Sequence, residues 1–121
     1  MKKNIFSKKN RIQQGGEFKK ILDFGEKKHT SSFIIFTFPT LSNINRLGVS
    51  ISKKIAKAHE RNRFRRLIRE TFRKQNFQKG FDSVFLIKSS IIHKKNYQIF
   101  QELEKFFNDY IHKEPKACSQ S

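Results

Sequence analysis

The sequence predicts a mixed α+β sandwich, with helices packed on a sheet. Three observations carry that prediction. Apolar residues recur at helical spacing near the start, in the middle and near the end of the chain. Runs rich in Phe, Ile and Val separate those segments, and the resulting order is helix, two or more strands, helix, strand, helix. With 121 residues there is room for one domain and a modest core.

The basic, polar segment 1–10 reads as a loose arm, 11–112 as a single domain and 113–121 as a polar tail. Order begins at "GGEFKKILDFGEKK", where Phe18, Ile21 and Leu22 repeat at i, i+3, i+4 and predict a short amphipathic helix. Gly15 and Gly16 mark its start, and Gly25 is expected to close it in the left-handed conformation. "HTSSFIIFTFPT" is β-branched and aromatic at its centre and ends at Pro39, which predicts a strand covered on both faces. After the loop "LSNIN", "RLGVSISKK" alternates: Leu47, Val49 and Ile51 point one way, Gly48, Ser50 and Ser52 the other. The second set is small and polar, so open space is expected above that face.

From about Ala56 to Gln75 the period becomes helical, and "FDSVFLIKSS" after Gly80 is a further strand. The middle helix therefore joins two strands and is a candidate crossover between parallel neighbours. "NYQIFQELEKFFNDYIHK" closes the domain as a helix whose apolar stripe is Ile99, Phe100, Leu103, Phe106, Phe107, Tyr110 and Ile111, stopped by Pro115.

Charge narrows the function. Lys plus Arg number 27 against 10 Asp plus Glu, a formal net charge of +17. Such an excess repels itself unless a polyanion neutralises it, and nucleic acid is the leading candidate ahead of an anionic membrane. Runs such as "FIIF" are far too short to cross a bilayer, and "MKKNIFSKKN" lacks the apolar stretch of a secretory signal. The single cysteine, Cys118, lies in the polar tail and fits a reducing compartment. The protein is expected to be soluble and cytoplasmic, without a membrane partner.

The charge concentrates in "RNRFRRLIRE", residues 61–70, which holds five arginines. On a helical wheel Phe64, Leu67, Ile68, Thr71 and Phe72 share one side and can pack on the sheet. Asn62, Arg65, Arg66, Arg69 and Arg73 share the other, flanked by Arg61 and Arg63. Lys53 and Lys54 extend the patch upstream. Glu60 suits the positive end of the helix dipole and Arg73 the negative end, and Glu70 is placed to pair with Arg66 or Arg73. Ordinary solvated faces mix their signs; this one does not. Guanidinium forks bind phosphate at two points and stack on bases, so the face predicts nucleic-acid binding.

No catalytic constellation accompanies it. His29, His59, His93 and His112 fall in separate elements, and Asp23, Asp82 and Asp109 form no local cluster that could hold two metals. Neither a Gly-rich phosphate loop nor a zinc motif is present. The expectation is a binding subunit whose partner supplies the chemistry.

"SKKIAKAHERNRFRRLIRETFR" resembles the signature of the bacterial ribonuclease P protein component, with its Arg-Asn-Arg core at Arg61, Asn62 and Arg63. Ala58, Arg65, Arg66, Ile68 and Arg69 also match, while Phe64 stands where an aliphatic residue is usual. The likeness runs over roughly residues 8 to 112, through "NRI…EFKKIL", "FIIFTF", "NRLGVSISKK", "FDSVFLIKSS" and the last helix. It implies a three-layer α-β sandwich of ribosomal-protein-like type, α-β-β-β-α-β-α with a left-handed crossover, and hence one more strand, within "EKKHTS".

The resemblance also implies a function. The enzyme is a ribonucleoprotein endonuclease that removes the 5′ leader of precursor tRNA, with the active site and Mg²⁺ held mainly by its RNA subunit. Lys53, Lys54, Arg61, Asn62, Arg63, Arg65, Arg66, Arg69 and Arg73 would face the catalytic RNA. Phe18, Leu22 and Phe36 would line a cleft for the single-stranded leader, although core packing is the plain reading of each, and Leu22 replaces a frequent aromatic. The partners implied are ribonuclease P RNA and precursor tRNA, and no protein partner is predicted. The alternatives are a basic ribosomal or other structural RNA-binding protein, a DNA-binding module, and a metal-dependent nuclease. The second lacks the preceding helix and tight turn of a helix-turn-helix.

Overall fold

The computed structural model describes residues 11–12, 15–40, 44–75 and 80–111, so the arm at 1–10, His112, Pro115 and Cys118 lie outside the described residues. The elements are α1 (Gly16–Phe24), β1 (Glu26–His29), β2 (Phe33–Pro39), β3 (Arg46–Ser50), α2 (Ala58–Arg73), β4 (Phe81–Ile87) and α3 (Asn96–Phe106). They form one sheet of order β1-β2-β4-β3. β1 and β2 pair antiparallel, as do β2 and β4, whereas β3 and β4 run parallel. α2 is thus the crossover between parallel neighbours that its position predicted.

Alternation along the strands builds three layers. Phe33, Ile35, Leu47, Phe81, Phe85 and Ile87 point to one face, where Phe64, Leu67, Ile68 and Phe72 of α2 and Ile99, Leu103 and Phe106 of α3 complete the main core. Its aromatic rings meet edge-on: Phe33 and Phe85 lie 5.5 Å apart at 82°, an arrangement the ring quadrupole favours. Phe36 and Val84 point to the opposite face and pack with Ile12, Phe18 and Ile21 beneath α1. α2 and α3 lie side by side and run in the same direction. Arg63 bonds Asn96 near their starts, and the Phe72 and Phe107 rings lie 6.2 Å apart near their ends.

Three local expectations need correction. Gly25 is extended, at φ −75° and ψ 162°, not left-handed. It is needed for space: a Cβ there would lie 2.6 Å from the Ile21 carbonyl oxygen and 2.9 Å from that of Thr37. The face bearing Gly48 is not open, because Phe18 Cε2 and the Ile12 backbone would sit 3.0 Å and 3.2 Å from a Cβ at that position. The strand that the resemblance implied within "EKKHTS" is present as β1: its sequence EKKH is too polar to alternate, and only pairing with β2 makes it a strand. A short 3-10 segment, Ser89–His93, separates β4 from α3, and the final helix widens into a π-helical turn over Phe107–Ile111.

Candidate nucleic-acid interface

α2 seats its apolar stripe on the sheet as the wheel predicted, with Phe64, Leu67, Ile68, Thr71 and Phe72 buried. The Thr71 hydroxyl is satisfied inside the helix by the Leu67 carbonyl at 2.9 Å. Asn62, Arg66 and Arg73 are exposed, and Arg61, Arg63, Arg65 and Arg69 are half-buried. Lys53 and Lys54 are exposed on the turn that leads into the helix, a turn closed by the Lys54 amide on Ser52 Oγ (3.0 Å) and the Ile55 amide on the Ser52 carbonyl (3.0 Å).

Inside the Arg-Asn-Arg core the three side chains do different things. Arg61 Nη1 donates to the Ala56 carbonyl at 2.8 Å and closes the entry turn onto the helix. Asn62 Oδ1 accepts a long bond from Arg65 Nη1 at 3.4 Å, so exposed Asn62 and half-buried Arg65 orient each other. Arg63 turns toward α3: Nη1 donates to Asn96 Oδ1, and the guanidinium lies 4.6 Å from the Phe64 ring centroid and 3.9 Å from Glu60 Oε1. Glu70 forms no ion pair with Arg66 or Arg73 among the described residues.

Sequence reasoning gave Arg11 no role in the site. The Ile12 amide donates to the Leu47 carbonyl at 2.9 Å, and Arg11 itself bridges to Leu47 on the outer edge of β3. That pairing brings Arg11 to the α2 side. Burial, with the like charges of Arg11 and Arg65, pushes the Arg69 guanidinium below its ordinary value. Arg11 and Arg69 line a shallow hollow with Ile12, Leu47, Gly48 and Val49. Cations gathered this way favour an anion between them. The only sequence signal for Arg11 was its place in the "NRI" stretch of the family likeness.

On the other face of the sheet, Phe18 and Phe36 come together under α1 but are only 7% and 8% exposed. Leu22 is half-buried beside them, as are Ile34, Phe38 and Leu86. Packing covers most of both rings, which leaves the half-buried side chains as the accessible apolar rim. Lysines stand over this rim, with Lys27 Nζ 5.9 Å from the Phe36 centroid and Lys20 Nζ 5.3 Å from that of Phe38. α1 is held to the sheet by Arg46, whose Nε and Nη2 grip both oxygens of buried Asp82 at 2.9 Å and 2.7 Å while Nη1 reaches Glu17 at 2.7 Å. The hydrogen bond to Asp82 dominates and holds the Arg46 guanidinium above its ordinary value, against the opposing effect of burial.

No group of three His, Cys, Asp or Glu side chains that could hold a metal ion is found among the described residues. Nor is any of their helices long and apolar enough to cross a membrane.

Comparison with known proteins bears on this arrangement. The sequence profile of the family described as Ribonuclease P matches residues 6–111. The ribonuclease P protein component of Clostridium botulinum strain Langeland is 38% identical over 86 residues, covering 69% of this chain and 78% of that protein. That of Clostridium acetobutylicum is 31% identical over 105 residues, covering 84% and 88%. The solved structure of the RNase P protein of Staphylococcus aureus superposes with a TM-score of 0.76 at 27% identity, over 82% of this chain and 93% of that one.

Proposed function

This chain belongs to the ribonuclease P protein family, and on that premise we propose that it acts as a basic clamp on two RNAs, the catalytic RNA and the precursor tRNA. The observation that carries the reading is the cationic face of α2, seated on the core by five buried side chains and joined by Arg11. Arg65, Arg66, Arg69 and Arg73, with Lys53 and Lys54, take phosphates of the ribonuclease P RNA. Arg11 and Arg69 take one phosphate between them.

The 5′ leader lies along the α1 side of the sheet. There Leu22, the exposed part of Phe36 and its neighbour Phe38 offer apolar contact, and Lys20 and Lys27 offer charge. Stacking of this kind is tolerant of sequence and is worth about 1–3 kcal/mol per base. Mature tRNA has no leader and forgoes those contacts, so the clamp favours substrate over product. We assign Mg²⁺ and bond cleavage to the RNA subunit. Neutralising phosphates where catalytic RNA and leader converge lowers the Mg²⁺ needed to hold them together.

The test is reconstitution with a bacterial ribonuclease P RNA at low Mg²⁺, following cleavage of a precursor tRNA. Wild type should accelerate cleavage, and Arg65→Ala combined with Arg69→Ala should abolish most of that gain until Mg²⁺ is raised. Absence of any wild-type effect would end the assignment. Cleavage by the isolated protein, with all RNA cofactor removed, would instead favour a nuclease.

A further inference from the structure

Tyr97 is 59% exposed in the first turn of α3. The later residues of the same helix, Ile99, Leu103 and Phe106, are buried, so Tyr97 is no part of the core stripe. Its backbone is well fixed nonetheless. The Lys95 amide donates to Gln98 Oε1 at 2.8 Å, and the Gln98 and Ile99 amides both donate to the Lys95 carbonyl. The neighbouring Asn96 accepts from Arg63. Lys95, two residues upstream, is exposed, and Arg63 of α2 bonds the intervening Asn96, so this ring stands near a cation of each helix.

Arg63 completes the argument. It is held by Asn96, by the Phe64 ring and by Glu60, three partners within the protein. A guanidinium held this way is poorly placed to grip a phosphate but well placed to fix α3 against α2. We propose that Tyr97 stacks on an unpaired base of the ribonuclease P RNA, and that Arg63 acts as a positioning residue that holds the first turn of α3 where that base arrives. The inference rests on the clamp reading above and adds a stacking point outside both the arginine face and the leader cleft. RNA fits better than a protein partner because a single exposed aromatic ring beside Lys95, on a chain of net charge +17, offers little apolar area but matches a base flanked by phosphates.

Salt dependence separates stacking from charge. Each phosphate contact contributes about 0.7–0.9 to the slope of log affinity against log salt, and a neutral ring contributes nothing. The experiment measures binding of the full chain to a bacterial ribonuclease P RNA across a NaCl series, with the folding of every variant checked by circular dichroism. Tyr97→Ala should weaken binding by about 5- to 150-fold, the range for one stacked base, with the slope unchanged. Tyr97→Phe should bind within about twofold of wild type, since it keeps the π face.

Arg63→Ala should weaken binding without lowering the slope, and should cost little more once Tyr97→Ala is present. Asn96→Ala breaks the same contact while leaving Arg63 in place, and should follow Arg63→Ala. Unchanged binding by Tyr97→Ala would overturn the proposal, and a shallower slope for Arg63→Ala would make Arg63 a phosphate ligand. Wild type that fails to bind this RNA would overturn the clamp reading itself, a result distinct from either.

Discussion

Ser83 is fully buried in β4, and its hydroxyl finds no hydrogen-bond partner among the described residues. It points to the α2 side of the sheet between Phe81 and Phe85, where a donor left unpaired costs roughly 1–3 kcal/mol. Ser83→Ala keeps the small volume and removes that cost. The variant is expected to be more stable by about 1 kcal/mol, read as a higher urea midpoint at unchanged slope; a lower midpoint would contradict it. At this scale the sequence was legible where a side chain answers to periodicity. The buried set of α2 follows directly from spacing, because the 3.6-residue repeat leaves Phe64, Leu67, Ile68, Thr71 and Phe72 no other side. It was illegible where a residue answers to a distant neighbour. Gly25 is set by the carbonyl of Thr37, Gly48 by a ring of α1, and the inward turn of Arg63 by Asn96.

Among elements, the β1–β2 hairpin depends on a residue of α3. Glu102 accepts from Thr30 Oγ1, from the Ser32 amide at 2.6 Å, from Ser32 Oγ at 2.8 Å and from Lys94 Nζ at 3.2 Å. Burial alone would push this carboxyl up, but the hydrogen bonds from Thr30, Ser32 and Lys94 together hold it below the usual carboxylate range. The folded state therefore releases this proton more readily than the unfolded chain, whose Glu titrates near pH 4.3 (roughly). Stability from Glu102 is complete above that value and disappears as pH falls through the lower folded one. Glu102→Gln should thus destabilise the protein at pH 7 by about 1–3 kcal/mol, the range for hydrogen bonds to a charged group. The gap between wild type and variant should narrow steadily as pH falls below the range of an unfolded carboxylate. A gap that does not narrow at all over that fall would mean the carboxylate's charge is irrelevant. Nothing local announces this network, since Ser32 and Glu102 are 70 residues apart. The same holds for β1, whose four polar residues become a strand only through β2. Element order, by contrast, was readable from where the hydrophobic period switches.

For the whole molecule, one charge excess should produce two salt effects of opposite sign. In the free protein a net +17 includes cations that the fold itself draws together, such as Arg11, Arg65 and Arg69. Added NaCl shortens the Debye length from about 30 Å at 0.01 M to about 8 Å at 0.15 M, which relieves their repulsion and should raise the urea midpoint. Bound to RNA, the same cations have displaced counterions, and added salt drives those ions back. If six to eight phosphates are neutralised, affinity should fall by about three to five decades between low and moderate salt. A hydrophobic core alone would give the first trend weakly and the second not at all, because the buried Phe and Ile side chains carry no counterions. The pair of measurements is therefore stricter than either one. A midpoint that rises with salt while RNA affinity stays flat would mean that the cations repel one another but do not touch the phosphates, and α2 would lose its role as the clamp.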